Sequence, residues 1–119
     1  MKLPAEVITG QVSIAIEGGE AKSVLAFMLG DLAVTPVRAE TSCETGVLWS
    51  ITHVPSGFGL AAGAALFRRA EDAVGAMYDI HTLFGRPHEI PIQMFAPAQM
   101  RIVEICLKRR GVLPGQMAA

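Results

Sequence analysis

Three histidines, two cysteines and a small set of arginines and carboxylates hold most of the chemical capacity of this chain. No two of His53, His81 and His88 have the short spacing that brings two imidazoles to one metal ion. His81 falls beside the apolar stripe of a helix, which predicts packing, and His53 ends a strand that carries Trp49, which predicts a hydrogen-bonded structural role. His88 lies in a loop between Pro87 and Pro91 and is the histidine placed to meet a ligand. A thiol nucleophile needs a nearby base and a lowered pKa. Cys106 is on an apolar helix face, which predicts inert burial, and Cys43 is flanked by Glu40 and Glu44, which disfavour its thiolate. The two cysteines are far apart and form no Cys-x-x-Cys, so they read as free thiols rather than a disulfide or a zinc site. Glu71 and Asp72 read as helix first-turn charge, and Gly57-Phe-Gly59 with Gly63 as a turn and a small-residue strand rather than a phosphate-binding loop. The expectation is a protein that is not an enzyme and has no catalytic residue, metal or cofactor.

A polar cluster near the carboxyl end is better suited to binding. Arg86, His88, Gln93, Arg101 and Arg109 come from one loop and one helix, with Phe84 and Phe95 beside them. Guanidinium groups bond phosphate through two parallel donors, and a flat ring stacks on a base. Phe84, Arg86, His88, Gln93, Arg101 and Arg109 are therefore the candidate ligand-binding residues. The competing reading pairs Arg101 with Glu104 and makes Lys108, Arg109 and Arg110 a helix cap.

The elements that must position these residues follow from periodicity. Glu6 to Ile16 alternates, with Ile8, Val12, Ile14 and Ile16 on one face, which predicts a half-buried strand. After the Gly18-Gly19 turn, Val24 to Leu29 is a continuous apolar run whose length suits a central strand or a short helix. Leu32 to Arg38 is a third strand, in which Pro36 predicts an edge position or a bulge. Ala39 to Gly46 reads as an acidic loop. Val47 to Val54 then forms a strand with Val47, Trp49, Ile51 and His53 on the inward face, turned by Pro55-Ser-Gly57. Leu60 to Phe67, rich in small residues, closes a β-meander over residues 6–67.

From Ala70 the period changes. Ala73, Met77, Ile80 and Phe84 recur at helical spacing and predict a helix over 70–84, with Gly85 just past its end. Gly85 to Pro91 must be a connection. Pro97 opens a second helix, 97–110, whose apolar face is Ile102, Val103, Ile105 and Cys106 and whose polar stripe is Arg101, Glu104 and Lys108. Cations and Gly111 mark its stop, and 112–119 reads as a frayed tail. The fold class is α+β, an antiparallel sheet of about five strands followed by two carboxyl-terminal helices.

Composition bounds the whole. The 119 residues suit a single domain spanning 1–119. Hydrophobic residues make up 51% and charged residues 18%, which is apolar for a body this small and predicts a homo-oligomer. The longest weakly polar run, Gly57 to Phe67, is too short to span a bilayer, so no membrane partner is expected. The amino terminus lacks the long apolar stretch of a signal peptide, which with the free thiols predicts a cytoplasmic protein. A net charge of −1 removes the broad basic footprint of a nonspecific nucleic-acid binder, although a local basic patch stays open.

The segment Trp-x-Ile-Thr-His-Val-Pro-Ser-Gly at 49–57, then Phe67 with basic residues, then Glu71-Asp-Ala73 opening a helix, resembles small proteins of bacteriophages and prophages over about a third of the chain. Strands followed by two terminal helices are also similar to the Thoeris anti-defence sponge family, phage proteins that capture cyclic ADP-ribose signals. That resemblance implies an oligomer acting in the host cytoplasm, with a nucleotide enclosed between strands and terminal helices by aromatic stacking and arginine contacts. It maps onto Phe84, Gln93 and Arg109, with Gln93 where an asparagine-like amide is expected. The function so implied is sequestration of a nucleotide immune second messenger, cyclic ADP-ribose or a cyclic oligonucleotide, without turnover. The alternatives are an anti-CRISPR-like inhibitor of a host defence protein, acting through the sheet edge near Pro36 and the acidic loop 40–44, and a small sheet-based DNA-binding module.

Overall fold

Turn signals separate the strands, and each strand pairs with the next one in the chain. The computed structural model describes residues 3–15, 21–38, 47–59 and 66–112. Strands β1 (Ile8–Ala15), β2 (Ala21–Leu29), β3 (Leu32–Arg38) and β4 (Val47–His53) are followed by a two-residue β5 (Phe58–Gly59). They lie in the order β1-β2-β3-β4-β5 with every neighbour antiparallel. Helices α1 (Ala70–Leu83) and α2 (Phe95–Lys108) follow, with a short 3-10 turn at Ile92–Met94 before α2. The class is α+β, an antiparallel sheet with two carboxyl-terminal helices. The expected Gly18-Gly19 turn, the acidic loop 39–46 with Cys43, most of the closing strand 60–67 and the tail beyond Val112 lie outside the described residues.

Register explains Pro36. The β2–β3 ladder has only three pairs, Leu29 with Leu32, Met28 with Ala33 and Phe27 with Val34, whereas β3 pairs with β4 along its whole length. Trp49 exchanges both of its backbone hydrogen bonds with Phe67, at 2.8 Å each, on the side of β4 away from β3. The opposed pair Trp49–Pro36 is therefore a non-hydrogen-bonded one, and the N–H that proline lacks would point toward β2, past the end of that ladder. The expected edge is corrected in this sense: β3 is an internal strand with one open side at Pro36.

The core forms where the inward sheet face meets both helices. Leu29, Leu32, Val34 and Ile51 pack with Phe67, with Ala73, Met77 and Ile80 of α1, and with Ile102 and Cys106 of α2. The helical stripe is buried as its spacing predicts, except that Phe84 is only half-buried. Trp49 is likewise half-buried, set against Phe27 with ring centroids 5.9 Å apart at the margin of the core. β1 departs from expectation. Ile8 pairs with Met28 and Thr9 with Phe27, so the apolar alternate of β1 shares the sheet face opposite to core residues Phe27 and Leu29, and Ile8 is 59% exposed.

Both helices end in the same hydrogen-bond pattern. At α1, Arg86 N–H bonds His81 O and Gly85 N–H bonds Thr82 O; at α2, Gly111 N–H bonds Cys106 O and Arg110 N–H bonds Leu107 O. These are paired Schellman closures. In α1 the first left-handed residue is Gly85 (φ 83), as expected, but in α2 it is Arg110 (φ 67) and not Gly111. Gly111 is required for space: a Cβ there would lie 2.8 Å from Cys106 O and 3.0 Å from the Phe67 ring. The helix limits also shift. α2 begins at Phe95, so Pro97 falls within the first turn, where its missing N–H has no intrahelical partner to lose. Val112 does not fray, since it exchanges backbone hydrogen bonds with Leu66 at 2.8 and 2.9 Å.

Candidate functional site

The connection between the helices is pinned by side chains of the sheet. Ile90 is 1% exposed although it belongs to an irregular segment, so its backbone groups need partners inside the protein. Its N–H donates to Asp31 Oδ2 at 2.8 Å, and its carbonyl accepts from His53 Nε2 at 2.8 Å. A carbonyl can only accept, so Nε2 carries a proton, and the Ser56 hydroxyl lies 2.7 Å from Nδ1 on the other side of the ring. Asp31 Oδ2 stands 3.7 Å from the same Nε2, and the Phe95 ring meets the imidazole edge-on with centroids 4.9 Å apart. His53 therefore has the hydrogen-bonded structural role expected of it. The serine, histidine and aspartate are close together, yet the imidazole N–H is committed to a backbone carbonyl, and the group acts as a clamp on the loop.

The clamp sets the preceding residues against the β2–β3 turn. His81, 9% exposed, donates from Nε2 to Pro87 O at 2.8 Å, which fixes the loop to α1. Gly30 at that turn has φ 57, and a Cβ on it would lie 3.2 Å from His88 O and 3.3 Å from His81 Nε2. Between this junction and the start of β1 lies a cleft of about 430 Å³. Ile8 and Met28 supply its apolar lining, and Arg86, His88, His81 and Glu6 supply polar groups. Arg86 is held at φ 57 by the α1 closure; its Nη2 donates to Tyr78 Oη at 2.8 Å, and its guanidinium carbon is 5.2 Å from the Tyr78 ring centroid. One of the five N–H donors of the fork is engaged there, which orients the group. The rim thus offers a cation, an imidazole and a carboxylate around an apolar floor.

The six candidate residues do not converge. Arg86 and His88 share the cleft. Phe84 turns inward to meet Phe95 edge-on at 5.3 Å. Gln93 is exposed in the 3-10 turn, and Arg101 is exposed midway along α2. Arg109 is committed elsewhere: its Nε and Nη2 donate to Asp79 of α1 at 2.9 and 3.3 Å, with the guanidinium lying against Gly75. The hydrogen bond to Asp79 raises the Arg109 pKa above its ordinary value, so the arginine is an interhelical tie and does not line the cleft that Arg86 and His88 share. Arg101 has Glu104 one turn away on the polar stripe, but no ion pair among the described residues joins them, so that part of the competing reading is corrected.

Sequence reasoning missed Asp31, Ile90, Glu6 and Tyr78. The usable signal was Ile90, a lone apolar residue between Glu89 and Pro91 in a polar connection. Burial pushes the Cys106 thiol up to about 12, in agreement with the inert thiol expected on that face. Among the described residues no group of three or more His, Cys, Asp or Glu side chains is arranged to hold a metal, and no helix is long and apolar enough to cross a membrane. No protein-family model, curated protein or solved structure matches this chain.

Proposed function

We propose that the protein binds a nucleotide-derived signal in the cleft beside Gly30 and holds it without turnover, as a phage-type anti-defence protein acting in the host cytoplasm. The observation that carries this reading is the pairing of an oriented Arg86 fork and His88 with an apolar floor in an open cleft of about 430 Å³. That size lies within the usual range for small-molecule sites. A phosphate suits the guanidinium, whereas the Glu6 carboxylate suits ligand hydroxyl or amino donors, so the rim favours a molecule carrying both, as a cyclic ADP-ribose or a cyclic oligonucleotide does. The proposed site is narrower than the cluster first expected: Arg86 and His88 stay in it, with Glu6 and His81 added.

Calorimetric titration with cyclic ADP-ribose isomers and cyclic oligonucleotides tests the reading. Heat denaturation should then release the ligand chemically unchanged. Arg86→Ala should remove binding while leaving the fold intact, and absence of binding to every one of these compounds refutes the proposal.

A further inference from the structure

The two edges of the sheet are built differently. One is closed by the two residues of β5, whereas β1 runs for eight residues along the other, and no described residue pairs with its outer side. An open strand edge is a template for further pairing, and proteins blunt it with charge, proline, a bulge or shortness. Ile8–Ala15 has none of these: it holds no charged residue and no proline, and its register with β2 is unbroken. No described residue of β1 joins the core either, and Ile8, Thr9 and Gln11 are exposed.

Backbone direction fixes what this edge offers. Val54 N–H donates to Asp31 O at 2.8 Å, so Asp31 and Ala33 face β4 while Leu32 and Val34 face β2. Carried through the registers of β2 and β1, the same alternation turns Ile8, Gly10, Val12 and Ile14 toward β2. The backbone N–H and C=O groups of Thr9, Gln11, Ser13 and Ala15 therefore point out of the edge. Val7 is outside this set, because its N–H donates to Pro4 O at 3.0 Å.

We infer that β1 pairs with β1 of a second copy of the chain, antiparallel about a two-fold axis through Val12, so that one sheet runs across a dimer. In that register Thr9 lies opposite Ala15 and Gln11 opposite Ser13, each pair exchanging two hydrogen bonds, and no outward group of the four residues is left over. An axis at Gln11 would instead set Ala15 against Val7, whose N–H is already committed. Every copy carries the same unprotected edge, so self-pairing is the association that the sequence does nothing to prevent. α1 packs on β2, β3 and β4, which leaves room beside β1 for a second sheet. The pairing is carried by backbone groups and does not depend on the cleft or its ligand. It assigns to a defined edge the self-association that the apolar composition led us to expect.

Sedimentation velocity of the full chain from micromolar to submillimolar concentration tests the pairing, and cysteine cross-linking reads its register. The wild type should reach the mass of a dimer at the upper concentrations. Gln11→Pro deletes an outward N–H and no bond to β2, so it should be monomeric and still unfold cooperatively, whereas Val12→Pro breaks the ladder within the subunit and should lower the unfolding midpoint. In a Cys43→Ser background, Val12→Cys sets two thiols on the axis, where the Cα atoms of a non-hydrogen-bonded pair lie about 4.5 Å apart and a disulfide can form. Gln11→Cys sets them on a diagonal about 7–8 Å apart, so mild oxidation should cross-link Val12→Cys at least about tenfold faster. Cys106 is buried and does not compete. The cross-link keeps the test valid should Gln11→Pro fail to fold. A wild type that stays monomeric throughout, a folded Gln11→Pro protein with the wild-type mass, or Gln11→Cys cross-linking as fast as Val12→Cys overturns the inference.

Discussion

His53→Ala is the perturbation that bears most directly on how the site is held. Removing the imidazole leaves the Ile90 carbonyl without its donor, and an orphaned buried acceptor costs about 1–3 kcal/mol. The edge-on contact with Phe95 is lost as well, about 0.5–1.5 kcal/mol. With the space vacated by a ring that is 3% exposed, the total should reach about 3–5 kcal/mol, a large share of the roughly 5–15 kcal/mol that holds a domain folded. Urea unfolding followed by Trp49 fluorescence should show the midpoint falling by about 2–3 M. His53→Gln, whose amide can still donate to Ile90 O, should recover part of the loss. Asp31→Ala removes the other half of the clamp. Because both side chains hold one residue, the double variant should be less destabilised than the sum of the singles. A loss below about 1 kcal/mol for His53→Ala, or strict additivity with Asp31→Ala, would refute the clamp.

Further outcomes follow from the same geometry. Trp49→Ala should cost about 2–3 kcal/mol, less than for a fully buried indole, measured by thermal unfolding followed by circular dichroism. Arg109→Ala should lower stability by no more than about 1 kcal/mol, and a double-mutant cycle with Asp79→Ala should give a small coupling that shrinks with added salt; a coupling of several kcal/mol would mean the pair is far less solvated than its exposure indicates. In a Cys43→Ser background Cys106 should resist alkylation at pH 8 in the native state and react in urea. Its folded pKa, about 12, stands above the ordinary 9.0, so the stability it contributes is complete below pH 9 and is lost as pH rises from 9 toward 12, about 1.4 kcal/mol per unit. Comparing wild type with Cys106→Ala between pH 8 and 11 isolates that slope, and equal slopes would disprove it. Arg110→Gly should stabilise α2 by up to about 1 kcal/mol by relieving a left-handed residue, whereas Gly111→Ala should destabilise by about 1–3 kcal/mol through contact with Phe67, both read as shifts in melting temperature.

Local order was legible in the sequence because it depends on near neighbours. Alternation located β1 and β4, a continuous apolar run left open between strand and short helix marked the carboxyl part of β2, and the turn before Leu32 marked β3. The Ala73, Met77 and Ile80 spacing located α1 and its buried face, and Gly85 marked that helix's end, since each signal is confined to a few consecutive residues. The inert setting of Cys106 and the structural role of His53 were legible for the same reason: each belongs to an element whose inward face was already readable. Tertiary structure decided that the apolar face of β1 lies opposite to the core face of the sheet, because alternation separates two faces without saying on which of them the core forms. It also decided the fate of the arginines. Charge and spacing grouped Arg86, Arg101 and Arg109, but Asp79, presented by the other helix, claims Arg109, and Tyr78 orients Arg86 into the cleft. The burial of Ile90 by Asp31 and His53 joins positions distant in the chain, so no window of sequence contains it. Strands and helices are specified by interactions a few residues apart, whereas the cleft exists only where three separate segments meet, and that meeting is a property of the packed whole.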